Sequence, residues 1–559
     1  MEQVKNLMLL SFLLILGHST KAQEFETLVN QLNNQLQKVV NGKYEYAQKA
    51  TISQPGVIQF SLVKTAIKDG KSEENIYEFN LADLDHNTIK TKTNKDLIQV
   101  QLLSAKKQDL IKVTQDREKI AYLNEILVYA ADIDNGRELE TSFKALIPVA
   151  QNITKKRLSL KSYNDHMQWV AQNITDVNLI QTQFAQKAKI MDAHPGKIAI
   201  SISKNSGKKS TSKTYEFNLM TINPNSILFN ISGEEFSIEL ETRRKMKTIK
   251  LFEEGVQQNY ISSFAITCNS VETARDLQKV LKSLIPLSQE AFNKTIKKPS
   301  SVSEAIQMLN DITQKATVNE TTITQNIVGD CVVTFTQSNV SNKGIKAREY
   351  LFNFKDLNKN AVQYEAKGKF VYLTITTNGG AKFIKNTEDN EQKNYTNEFI
   401  LYTPEIEDAI ATQKALEGII ELCINQKETY AEGPKNQLIE RLSASFLKVE
   451  VNDKTYEQKI TFEENNNASV FDLIEVSTKS SKQKTYAFNL SDINPASVKM
   501  LTSGKNVTVI ANTYYLEKII QYYEDGEIEN YQNEIEIQAN SIENARRITT
   551  LLKKVSGKE

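Results

Sequence analysis

Apolar and polar residues alternate in short runs along most of the chain, and the alternation itself recurs. The string Tyr-x-Phe-Asn, closed by Leu or Phe, stands at Tyr77–Leu81, Tyr215–Leu219, Tyr350–Phe354 and Tyr486–Leu490, at spacings of 138, 135 and 136. With each Tyr as position zero, +12 is Ile89, Ile227, Val362 and Val498, and +34 is Ile111, Ile249, Ile384 and Ile520. Position +45 is Tyr122, Tyr260, Tyr395 and Tyr531, and no gap is needed across this stretch. A period near 135 residues is the size of a whole domain, far above the 20–50 residues of solenoid units. The chain therefore reads as one design written four times.

Positions +21, +23 and +25 are apolar in every copy: Ile98, Val100 and Leu102 in the first, Phe236, Ile238 and Leu240 in the second. Period two predicts a strand with one buried face. Positions +39 and +40 are Asp116-Arg117, Glu254-Gly255, Asp389-Asn390 and Asp525-Gly526. Asp-Gly favours a tight hairpin because type I′ turns need positive φ. Such a turn predicts +34 opposite +45, making four Ile–Tyr cross-strand pairs. Beyond the hairpin, Ile542, Ala545, Ile548, Leu552 and Val555 form a helical stripe, matched by Val271, Ala274, Leu277, Leu281 and Leu284. Asn269 and Asn540 are the expected caps, and Thr403 with Pro404 in the third copy. Upstream, Tyr44–Gln54 and Val57–Thr65 read as strands. Amphipathic helices precede them over Phe25–Val40, Ser162–Ile174, Val302–Ile312 and Asn436–Val449.

The expected fold class is α+β: four tandem copies of a small antiparallel β-barrel or curved sheet of about seven strands, with an N-terminal helix and a C-terminal capping helix. Seven strands closed by a helix resembles the pleckstrin-homology-like barrel in element order; a helix-grip or lipocalin-like cup is the alternative. Pro, Gly and paired Lys at the linkers place the domains at 23–155, 156–298, 299–431 and 432–559. Residues 1–22 read as a signal peptide: Lys5, an apolar run from Met8 to Gly17, and small residues before Ala22-Gln23. The expectation is export to a periplasm or the extracellular space, with no later transmembrane segment.

Composition removes several classes. Lys plus Arg number 69 against 68 Asp plus Glu, so no global field draws nucleic acid. Three cysteines exclude a disulfide-dense scaffold. Cys331 and Cys423 share the third copy and could oxidise together, but buried free thiols are the favoured reading. His86, His166 and His194 lie at non-equivalent positions and read as surface polar residues. Trp169 reads as packing. The +48 row, Glu125, Ser263, Glu398 and Glu534, reads as strand surface. No nucleophile, base or metal constellation stands out, so no catalytic residue, metal ligand or cofactor is expected. The Asn at +3 (Asn80, Asn218, Asn353, Asn489) is expected to hold a local turn.

Basic residues gather in the hairpin before each Tyr: Lys204, Lys208, Lys209 and Lys213; Lys343, Lys346 and Arg348; Lys479, Lys482 and Lys484. The first copy has Lys64, Lys68 and Lys71, diluted by Glu73 and Glu74. Resemblance to pleckstrin-homology-like domains implies anion or partner binding at such loops, whereas lysines also protect edge strands from pairing. The expectation is a non-enzymatic exported scaffold binding a protein partner or surface ligand. A carrier of apolar or lipid ligands in a cavity per domain is the first alternative, and an extracytoplasmic hydrolase the second.

Overall fold

The computed structural model describes residues 21–207, 209–318, 321–463, 468–478 and 480–556. Residues 1–20 of the expected signal peptide 1–22 lie outside them, as do Lys208 and Lys479. The chain packs as two units, Met1–Thr295 with the first two copies and Ile296–Glu559 with the last two.

In the first copy, helix α1 (21–35) precedes β1 (Val39–Val40), β2 (Tyr44–Gln54), β3 (Val57–Ala66) and β4 (Ser72–Asn80). Then come β5 (Lys90–Asn94), β6 (Leu97–Leu103), β7 (Ile111–Gln115), β8 (Lys119–Leu123), β9 (Glu125–Ala130) and helix α2 (Ile133–Lys156). Strands β1-β2-β3-β4-β7-β8 form one antiparallel sheet, and β5-β6-β9 a second. The same six-plus-three arrangement recurs in the other three copies. The expectation of about seven strands is thus corrected to nine in two sheets. The extra ones are short, such as Val39–Val40, and carry too few residues for a visible alternation.

The recurring string marks the corner between the sheets. Tyr350, Phe352 and Phe354 share the buried face, as their alternation predicts. The following Asn ends the strand and caps a 3-10 turn. Its Oδ1 accepts the backbone N–H two residues on in every copy, at 2.8 Å in Asn80 and 3.0–3.1 Å in Asn218, Asn353 and Asn489. That is the expected turn role.

A second corner is closed by a side chain. Gln48 on β2 donates to the Tyr129 carbonyl at 2.8 Å and accepts its N–H at 2.7 Å, although β2 and β9 belong to different sheets. Gln186, Gln325 and Gln458 do the same with Thr267, Tyr402 and Gln538. Each Gln amide stands in for a residue of a missing strand, satisfying edge groups that would otherwise lie bare beside the core. The signal was hidden because insertions between this Gln and the Tyr differ among copies.

The hairpin at +39 and +40 is tight, with positive φ at both positions in every copy. Its acid caps the neighbouring strand: Asp116, Glu254, Asp389 and Asp525 accept N–H groups of Glu74, Ser212, Ala347 and Gln483 at 2.7–3.1 Å. The expected +34/+45 pairing is wrong by one residue. Ile111 faces Leu123, and Ile249, Ile384 and Ile520 face Ile261, Thr396 and Gln532, all at +46. In the first copy the turn has three residues; in the others an extra residue follows a two-residue turn. Because side chains alternate, this slip sends the +45 Tyr to the opposite face from the buried Ile.

The helical stripes are buried as predicted. Caps lie one residue later than expected, at Ser270 and Ser541, and the third copy's helix starts at Ile406 after Glu405 rather than at Thr403-Pro404. Of the upstream helices, Tyr163–Asn173 and Val302–Thr313 fall close to expectation. Two end early, at 35 and Ser443, and give way to strands containing Val39–Val40 and Val449–Val451. His166 is buried, its Nδ1 2.7 Å from the Ser162 carbonyl, which corrects its assignment to the surface. Trp169 packs against the second copy's core.

Candidate functional site

Two places concentrate polar chemistry: the joints between paired copies and a groove on the third copy. In the first unit, Arg275 near the start of the helix Val271–Asn293 bonds Asp83 in the 3-10 turn of the preceding copy and Glu272 on its own helix. Arg157 joins Glu272 and Asp276, each at 2.6 Å. Burial pushes the Asp83 carboxyl up to about 6, against the opposing pull of Arg275. The second unit repeats the motif. Arg546 bonds Asp356 and reaches Glu543 at 3.3 Å. Burial also raises Asp356, again against Arg546.

Apolar contacts finish each joint through the residue that the register slip turns outward. Tyr122 lies 5.1 Å from Phe236 of the second copy, centroid to centroid. Leu110, at +33, belongs to the second copy's core cluster. Tyr395 is buried in the fourth copy's core and donates its N–H to Gly504 at 2.9 Å, with Phe383 beside it.

The groove has a volume of about 870 Å³ and is lined by Thr324, Gln325, Thr336, Gln337, Arg348 and Asp389 among others. Its buried lining residue Gln337 departs in polarity from the other copies. Opposite the corner Gln, the neighbouring strand holds Leu62, Ile202 and Leu473 in the first, second and fourth copies, but Gln337 in the third. Gln337 is buried and donates to Gln325 and to the Ile400 carbonyl, each at 3.1 Å. Sequence reasoning missed it because a lone Gln on an alternating strand has the polarity of a surface position.

Half of the described basic hairpin residues are ion-paired. Lys204 pairs with Glu235 at 3.2 Å, Lys213 with Glu253 at 2.9 Å, Arg348 with Glu388 at 3.0 Å and Lys482 with Glu524 at 2.6 Å. Lys209, Lys343 and Lys346 are exposed and Lys484 is half-buried. Among the described residues of the set, only Arg348 lines the groove.

Cys331 and Cys423 form a disulfide with Cα atoms 5.5 Å apart, which corrects the favoured reading of buried thiols for this pair. A strand start and the final helix meet there because that helix packs back over its own sheets. Cys268 is free and buried, and burial pushes its thiol up to about 12.

No protein-family model, curated protein or solved structure matches the chain.

Proposed function

We propose that this chain is an exported, non-enzymatic binding scaffold whose third module takes an extended polar segment of a protein partner. Gln337 is the observation that carries the reading. It replaces an apolar residue of three sibling modules at the floor of a polar groove, where the fold itself does not ask for an amide. The groove is lined by hydroxyl and amide side chains, which suit backbone-like hydrogen bonding. Two of its three charged lining groups already have work, since Asp389 caps Ala347 and Arg348 pairs with Glu388, which leaves the exposed Glu349. That favours recognition over acid–base chemistry.

Filled interiors support a scaffold over a carrier. Phe60, Phe335 and Phe471 are at most 1% exposed, and Phe335 and Phe471 stack on Tyr350 and Tyr486. A disulfide in the third module fits an oxidising, exported setting. Repetition adds avidity when linked modules engage one target.

The test is affinity capture from the host's exported fraction with the wild type and with Gln337→Leu, the residue of the first and fourth modules. The variant should fold normally and lose the partner. Equal capture by both overturns the groove assignment. Native mass spectrometry of the endogenous protein discriminates the carrier, which would show small-ligand mass increments.

A further inference from the structure

We propose that chains associate head to tail, the fourth copy of one chain docking on the first copy of another. The joint within each unit has a fixed code. The leading copy supplies Asp at +6 and apolar residues at +33 and +45. The following copy supplies an apolar residue at +56, an acid at +57 and Arg at +60. In the first unit these are Asp83, Leu110 and Tyr122 against Val271, Glu272 and Arg275. In the second they are Asp356, Phe383 and Tyr395 against Ile542, Glu543 and Arg546. The sequence breaks the code between the second and third copies, where +6 is Thr221 and +60 is Ile410.

The two ends of the chain keep it. The fourth copy carries Asp492, Ile519 and Tyr531, a complete leading face that no other copy covers among the described residues. Asp492 sits in the same 3-10 turn as Asp83 and Asp356 and forms no ion pair among the described residues. Ile519 is 43% and Tyr531 50% exposed, whereas Leu110 and Tyr395, covered in their joints, are each 6% exposed. The first copy carries Ile133, Asp134 and Arg137, a complete following face that no other copy covers among the described residues. Ile133 is 48% exposed against 8% for Val271 and for Ile542. The Arg137 side chain is 72% exposed against 18% for Arg275 and 13% for Arg546.

Charge and shape are therefore complementary between the two ends of one chain, by the rule that builds both internal joints. One departure is Lys95, which stands where Gly504 accepts the Tyr395 N–H. Its backbone is left-handed like that glycine's, with φ of 56° against 62°. A contact between unlike faces leaves a free face at each end, so growth continues into filaments or closes into a ring. This association does not involve the third copy's groove, so each proposal can fail alone.

Sedimentation velocity of the full chain over a wide concentration range is the test, with Ile133→Asp and Tyr531→Asp as variants. Both residues are exposed, and an unchanged melting temperature confirms folding. The wild type should grow beyond a dimer as concentration rises. Each variant alone should stay monomeric, and an equimolar mixture should stop at a heterodimer, because only one intact joint can form. A wild type that stays monomeric overturns the proposal, as does association insensitive to both variants. Loss in one variant only, which marks a symmetric contact, also overturns it.

Discussion

Replacing Gln186 by Met tests whether a side chain really closes each module. Methionine has nearly the same length and flexibility but no amide. In the wild type, Gln186 Nε2 donates to the carbonyls of Thr175 at 3.0 Å and Thr267 at 2.8 Å, while Oε1 accepts the Thr267 N–H at 3.1 Å. Gln186 and Thr267 are both buried, so the variant strands a backbone donor and acceptor beside the core. A buried polar group left unpaired costs about 1–3 kcal/mol. Better burial of the thioether and partial entry of water offset some of this, leaving an expected loss of about 2–4 kcal/mol. For a domain of this size, that lowers the melting transition of the first unit by roughly 5–15 °C. Calorimetry of the full chain reads the shift, with exposed Gln183→Met as the control. Hydrogen exchange adds a local readout, since the Thr267 amide should exchange faster than its strand neighbours. Stability unchanged within about 0.5 kcal/mol would mean that the corner is held by packing alone.

Other measurements probe separate links in the structure. Alkylation of denatured, unreduced protein should label one thiol, Cys268, and reduction should expose all three cysteines. Removing the disulfide, which spans 92 residues, should destabilise the second unit by about 4.6 kcal/mol in the chain-entropy picture and leave the first unit's transition in place. Asp83 titrates near 6 when folded and near 3.8 when unfolded, so its favourable contribution is complete below about pH 4 and is lost as pH rises through 6. Asp83→Asn should flatten the first unit's stability profile across that window, as followed by urea melts at several pH values. Asp389→Ala removes one exposed cap on Ala347 and should cost about 1 kcal/mol in a urea melt of the second unit.

Ungapped periodicity made much of the module legible. Strands Tyr44–Gln54 and Val57–Ala66 fall almost where the alternation put them, and so does the stripe from Val271 to Leu284. What stayed hidden depends on two-body geometry. The corner Gln makes its bonds to a strand about 80 residues away, and nothing in its local sequence marks that distance. The disulfide needed the final helix to return over its own sheet, a tertiary fact invisible to residue spacing. Gln337 became conspicuous only when its cross-strand partner aligned it with Leu62, Ile202 and Leu473.

The one-residue error at the hairpin explains why these modules are joined rather than merely strung together. Had +45 faced +34, each Tyr would share its own module's buried face with Ile111, Ile249, Ile384 or Ile520, and the outer face would hold the residue at +46. Those residues are Leu123, Ile261, Thr396 and Gln532, which share no common chemistry. The slip instead puts the Tyr on the face opposite the buried Ile, where Tyr260 is buried and Tyr531 half exposed. In two copies it packs on the following module beside a buried Arg–Asp pair. The aromatic ring contributes apolar area, and the ion pair fixes the direction, because Asp always lies on the leading copy and Arg on the following one. A directional joint built from one repeated code is satisfied inside a chain only where a successor with the matching residues exists. Tyr531 of the fourth copy is covered by no such partner among the described residues, which is the physical reason its exposed hairpin is better read as an unfilled joint than as a tolerated surface.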